Sequence, residues 1–199
     1  LYDLTDSGIN AYPNVSPNLL IESNGLKTVK GRIYPIGSIS NITTILGNES
    51  GYYAVVELDE HGFNNPKGLY EKNKVDIVLI GDSFTEGHSV HSDESIGAVL
   101  RELGFKAISL GKGGNGPLIE LASIKEYAEP LNGKVVLWMF YPNDFQNLID
   151  EMESPILQKY LKNDFSQNLI ERQEEIDSLL KVFAESEIER GRKLSMEME

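Results

Sequence analysis

The stretch that most constrains this chain is Val75-Asp76-Ile77-Val78-Leu79-Ile80, followed by Gly81-Asp82-Ser83-Phe84-Thr85-Glu86-Gly87. Apart from Asp76, the first six residues are apolar and mostly β-branched. A run of this kind without polar alternation is a strand buried on both faces, as in a parallel sheet. Glycine, aspartate and serine then sit at its carboxyl end, where open α/β sheets bind ligands. A serine on a sharp turn there can present its hydroxyl above the sheet edge. Backbone N–H groups just past the turn can stabilise a negative oxygen. Ser83 therefore has two readings: a nucleophile, or a cap for the next helix with Gly81 permitting the turn.

Two later stretches repeat the arrangement. Phe105–Leu110 is strand-like and runs into Gly111-Lys112-Gly113-Gly114-Asn115-Gly116, and Val135–Phe140 runs into Tyr141-Pro142-Asn143-Asp144. Between them, Ser92 can cap a helix with Ile96, Val99, Leu100 and Leu103 on its apolar face and Gly104 as its stop. Pro117 can open another that runs toward Ala128. The order is strand, helix, strand, helix, strand, which predicts right-handed crossovers on a parallel sheet.

The three blocks, each after a strand and in this order, resemble the SGNH (GDSL-type) hydrolase family over roughly residues 76–148. One departure is that Asn143-Asp144 follows Tyr141-Pro142 rather than the family's usual glycine. The resemblance implies a three-layer α/β/α sandwich with a parallel, flavodoxin-like sheet. It implies a serine-dependent ester (acyl) hydrolase with Ser83 as nucleophile. The oxyanion donors would be the N–H groups of Ser83 and Gly114 and the side-chain amide of Asn143. The substrate would be a small acyl ester such as acetylated carbohydrate, with no cofactor. Gly114 can equally be one of four glycines in a loose loop, and Asn143 a turn residue bonding its own backbone. Asp82 and Asp144 read as turn-stabilising acceptors rather than catalytic acids.

A serine hydroxyl needs a base to take its proton. In the family an Asp-x-x-His pair near the carboxyl terminus supplies it, but no histidine follows His91 here, and no further strands follow Asp144. The sheet is thus expected to be incomplete at its carboxyl-terminal side, with the third strand carrying an unpaired apolar edge. Either the 199 residues are the amino-terminal portion of a longer protein, or the carboxyl-terminal helices cover that edge. The histidines present are weaker candidates for the base. His61 sits in an Asp59-Glu60-His61 sequence similar to the Asp-x-His of SGNH-like polysaccharide O-acetyltransferases, whereas His88 and His91 lie in the loop after Ser83. None of the three has metal-ligand spacing. The alternatives to a hydrolase are an O-acyltransferase and a binding or structural module that keeps the fold without a working base.

The remaining chain divides by texture. Residues 1–74 read as an extended arm, rich in Pro, Gly and Asn up to about residue 25, and then a small β-rich preface. Thr43–Leu46 and Tyr52–Leu58 are expected to form a hairpin, and a turn-rich Asp59–Pro66 follows. Residues 75–150 are the α/β core. Residues 151–199 are helical: Ser154-Pro155 opens a short helix through about Lys162, and a longer one runs from Ser166 to about Lys193 with Leu169, Ile176, Leu180 and Phe183 as its stripe. The final Met-Glu-Met-Glu is expected to fray. A net charge of −13 disfavours nucleic acid and anionic membrane surfaces as partners. No apolar run approaches a membrane span, and without cysteine there is neither a disulfide nor a thiolate metal site. Leu1 in place of an initiator methionine suggests processing or trimming, and with the family's habits it favours export over a cytoplasmic location.

Overall fold

A computed structural model of the chain describes residues 4, 5 and 7–197, without the side chains of 191, 192 and 194–197. The expected fraying of the final Met-Glu-Met-Glu therefore falls largely outside the described residues. Two short antiparallel hairpins come first: β1 (Leu26–Thr28) with β2 (Gly31–Ile33), and β3 (Thr43–Ile45) with β4 (Val55–Glu57). The core is a three-stranded parallel sheet of β5 (Ile77–Ile80), β6 (Ala107–Ser109) and β7 (Val135–Trp138), flanked by helices. Its spatial order is β6-β5-β7. The chain leaves the central strand for one side, then crosses back to the other.

Asp76, the one polar residue of the first block, explains the register at the entry to the sheet. Its carboxylate accepts the Lys106 N–H at 3.0 Å and the Lys134 ammonium at 2.7 Å, clamping the starts of β6 and β7 to β5. Val78, Leu79 and Ile80 are fully buried, as their unbroken apolar run requires. The connections are α1 (Ser83–Glu86), α2 (Ile96–Glu102) and α3 (Pro117–Ser123). After β7 come α4 (Asp144–Glu151), α5 (Pro155–Gln158) and the long α6 (Gln173–Glu197). α3 opens with Pro117, as expected. It continues into a single wide π turn over Ile124–Ala128, with the Glu129 N–H bonded to the Ile124 carbonyl.

α2 differs from its sequence reading. Ser92–Glu94 forms a separate 3-10 turn, and the cap is Ser95, whose hydroxyl accepts the Ala98 N–H. The expected apolar face is largely exposed, with Leu103 at 69 %. The face turned to β6 is that of buried Gly97 and of Arg101, whose Nη1 donates to the Ala107 carbonyl at 3.1 Å. The Ile96–Val99–Leu103 stripe is carried away from the sheet.

One hydrophobic cluster draws on all three stretches of sequence. Leu20, Tyr34 and Phe63 come from the preface, Ile80, Ile108 and Tyr127 from the core, and Tyr160, Ile176 and Leu180 from the carboxyl-terminal helices. Glu126 ties that last segment down. It accepts hydrogen bonds from the Tyr160 and Ser166 hydroxyls and from the Gln167 and Leu169 N–H groups. α6 then packs on the preface: Asp177 accepts from the Ser40 N–H and hydroxyl, and Gln173 meets His61.

The carboxyl-terminal helices do not cover β7. Val135, Val136, Leu137 and Trp138 are 41–47 % exposed, so both faces of this edge strand meet solvent. Parallel strands are ordinarily covered on both faces, and an open apolar edge is a template for pairing. The 199-residue chain is therefore expected to self-associate with rising concentration, and Val136→Lys to suppress this without lowering Tm. Sedimentation velocity across a concentration series checks it; a monomer at every concentration contradicts it.

Candidate functional site

The carboxyl ends of the three parallel strands lie side by side, so the loops that follow them form one rim. Ser83 is the first residue of α1. Asp82 caps that helix by accepting the Phe84 N–H at 3.0 Å, which leaves the Ser83 N–H unused. The Ser83 side chain is half-buried at the rim. Phe84 places its ring 5.0 Å from that of Tyr141, joining the Ser83 turn to the loop that carries Asn143. Asn143 is exposed at the start of α4, and its side chain makes no capping bond. One turn later, the Asn147 side chain donates to the Gly114 carbonyl at 3.4 Å and the Asn115 carbonyl at 3.1 Å, which brings the glycine loop against α4.

Within the loop from 111 to 116, five amides are engaged. Gly111 donates to Ser109, Lys112 to the Gly81 carbonyl, Gly113 to Glu86, Asn115 to the Lys112 carbonyl, and Gly116 to Glu151. The Gly114 amide has no partner among the described residues. Gly114 lies at φ +76°, a conformation that favours glycine, and a Cβ there would stand 2.4 Å from the Asn18 amide, which would have to move aside. Asp82 and Asp144 are turn acceptors, as expected; Asp144 takes the Tyr141 N–H at 2.7 Å.

The three histidines are all committed elsewhere. His61 is buried in the preface, edge-on to Tyr70 and 3.2 Å from Gln173. His91 is exposed and stacks on Tyr52 at 4.2 Å. His88 is nearest the glycine loop. Its Nδ1 faces Glu86 at 3.4 Å, and the hydrogen bond to that carboxylate raises its pKa. Its Nε2 edge lies against Gly47, where a Cβ would come within 3.0 Å. None of the three imidazoles hydrogen-bonds the Ser83 hydroxyl, and no cluster of metal-ligating side chains occurs among the described residues.

Sequence reasoning missed two parts of the site. The first is a buried ion pair under the glycine loop. The Lys112 ammonium and Glu86 carboxylate are both fully buried and 2.8 Å apart. Glu86 also accepts the Gly113 N–H at 2.8 Å and the Asn14 side-chain Nδ2 at 3.1 Å, while Lys112 donates to the Asn14 side-chain Oδ1 at 2.7 Å. Burial alone would raise the Glu86 pKa; the adjacent ammonium and the hydrogen bonds overcome it and hold the group at about 2. The arm supplies the other wall. Val15 and Pro17 are buried, whereas Asn14 and Asn18 turn toward Glu86 and Gly114.

The second is a buried acidic layer beneath the rim. Glu120 is fully buried, takes a 2.6 Å hydrogen bond from the Trp138 indole N–H, and has a second carboxyl oxygen without a partner. Burial, reinforced by Asp144, Glu151 and Asp82, pushes its pKa up to about 8. Glu151 is buried too and is pushed up to about 7, although the amides of Leu118, Gly116 and Ile119 favour its carboxylate. The Asp144 carboxyl is likewise raised by burial.

Compared with known proteins, the chain matches no family model, no curated protein and no solved structure.

Proposed function

We propose that this chain carries the nucleophile and oxyanion-binding rim of an SGNH-type serine ester hydrolase, on the first three strands of a flavodoxin-like sheet. The observation that carries the reading is a set of three donors without a partner on one rim. The Ser83 N–H, the Gly114 N–H and the Asn143 carboxamide have no hydrogen-bond partner among the described residues, whereas the other five amides of the 111–116 loop are engaged. The order β6-β5-β7 supports it, because the crevice at a topological switch point opens between the loops that follow β5 and β7.

In this reading the Ser83 hydroxyl attacks the acyl carbon and gives its proton to a base. The oxyanion is held by the three free donors, and collapse expels the alcohol and leaves an acyl-serine that water hydrolyses. By the resemblance that motivates the reading, the substrate is a small neutral acyl ester such as an acetylated sugar. The base is the missing part, since His61, His88 and His91 all have other partners. That same observation favours a second reading, a binding module on the same fold.

A fluorophosphonate probe and 4-nitrophenyl acetate separate the two. Slow labelling at Ser83 is expected, together with turnover that Ser83→Ala removes and Asn143→Ala lowers by about 10²- to 10³-fold, the usual cost of one oxyanion donor. Equal rates for the chain and Ser83→Ala would leave only the binding reading.

A further inference from the structure

A cavity lies away from the rim, between β4, the turn after Phe63 and α2. Its volume is about 750 Å³, within the range of small-molecule sites. Its walls are apolar where Val55, Leu58, Pro66 and Ala98 meet it, and Arg101 closes one side.

Arg101 is unusual in so acidic a chain. Its side chain is half-buried, yet it makes no ion pair among the described residues. Desolvation lowers its pKa. One terminal nitrogen, Nη1, is fixed by the Ala107 carbonyl at 3.1 Å and the Asn65 carbonyl oxygen at 3.4 Å. Asn65 is itself immobilised: it accepts the Ser109 N–H and donates to the Ser109 carbonyl and to Asp59, each within 2.9 Å. The guanidinium is therefore held in place by one nitrogen, while Nη2 and Nε have no partner among the described residues. A planar fork with two free donors matches a carboxylate.

We propose that this cavity binds a small amphiphilic monocarboxylate, its apolar body on Val55, Leu58, Pro66 and Ala98 and its carboxylate on the free edge of Arg101. The rim fixes the charge of the ligand. Glu57 and Asp93 face the opening against the single ammonium of Lys67, so a multiply charged anion is repelled while one carboxylate is neutralised by Arg101. This site does not depend on the chemistry of Ser83.

Isothermal titration of the full chain with decanoate, decanol and decylammonium tests it. Decanoate is expected to bind, the other two more weakly by at least about ten-fold, the factor that ~1.4 kcal/mol of a charge-assisted contact supplies. Arg101→Gln should cost decanoate a similar factor and leave decanol unchanged. Should Arg101→Gln fail to fold, Ala98→Trp gives the answer, because it fills the cavity while leaving Arg101 in the chain and should abolish binding of decanoate. Ser83→Ala should bind decanoate like the parent chain. No decanoate binding, equal binding of all three ligands, or decanoate affinity unaffected by Arg101→Gln or by Ala98→Trp overturns the proposal.

Discussion

Stability should peak in an unusually acidic window, near pH 4–5, and fall on both sides. On the alkaline side the groups are Glu120 and Glu151, whose folded pKa values are raised to about 8 and about 7 from an ordinary 4.5. A carboxyl with a raised folded pKa contributes stability that is fully present below its unfolded pKa and is lost as pH rises through the folded one. Each such group can cost up to ~1.4 kcal/mol per pH unit across its window. The two carboxyls are neighbours, so their contributions do not add, and a total loss of roughly 2–4 kcal/mol between pH 5 and 8 is expected. On the acidic side Glu86 has the opposite sign. Its folded pKa of about 2 makes its contribution present above 4.5 and lost as pH falls toward 2. Urea unfolding from pH 3 to 8 reads both limbs. Glu120→Gln keeps an acceptor for the Trp138 indole but cannot ionise, so its alkaline limb should be flatter by ~1–2 kcal/mol. A parent curve that is level from pH 5 to 8 would contradict the assignment.

Lys112→Met is expected to be the most damaging single change near the rim. Breaking a buried ion pair by removing one partner costs about 3–5 kcal/mol, because the remaining charge is left without compensation. Glu86 would keep the Gly113 N–H and Asn14 but lose the ammonium 2.8 Å away. Removing both charges, as Glu86→Gln with Lys112→Met, should recover a large part of that loss. A double-mutant cycle measured by thermal or urea unfolding would then show strong coupling. Because Glu86 holds the amide next to Gly114, Lys112→Met should also slow fluorophosphonate labelling of Ser83 more than the doubly substituted chain does. Additive single effects would mean that the two groups stabilise the fold independently.

The parts of the fold legible in the sequence are those governed by local rules. The largely apolar runs before Gly81 and Gly111 gave two strands buried in the sheet, and Pro117 and Ser154-Pro155 marked two helix starts. The run at Val135 predicted a strand and an open edge, and both are present. What local rules do not carry is the choice among faces. The α2 stripe looked like a core face, but the helix presents Gly97 and Arg101 to β6 instead, with Arg101 bonded to the Ala107 carbonyl, a partner that no local pattern announces. Glu86 and Lys112 read as two polar residues in turns because their pairing spans 26 positions of sequence, beyond any periodic signal. At the rim, the residue types Ser83, Gly114 and Asn143 could be read in order. The engagement of every loop amide but one could not, since each bond depends on a different distant element.

The π turn at Ile124–Ala128 gives this chain a length constraint distinct from any composition constraint. Its extra residue re-phases the helix so that Glu126, Tyr127 and Ala128 all face inward. Glu126 can then receive the segment from 160 to 169. Deleting one residue from the regular winding of α3 before it, where no wide turn absorbs the change, would swing everything downstream by about 100°, pointing Glu126 at water and unmooring the tail that begins beyond it. Exchanging the side chain of Lys125, which reaches outward to the Lys162 carbonyl, would leave that phase intact. Related chains could thus vary freely in what stands at this position while keeping the number of positions fixed.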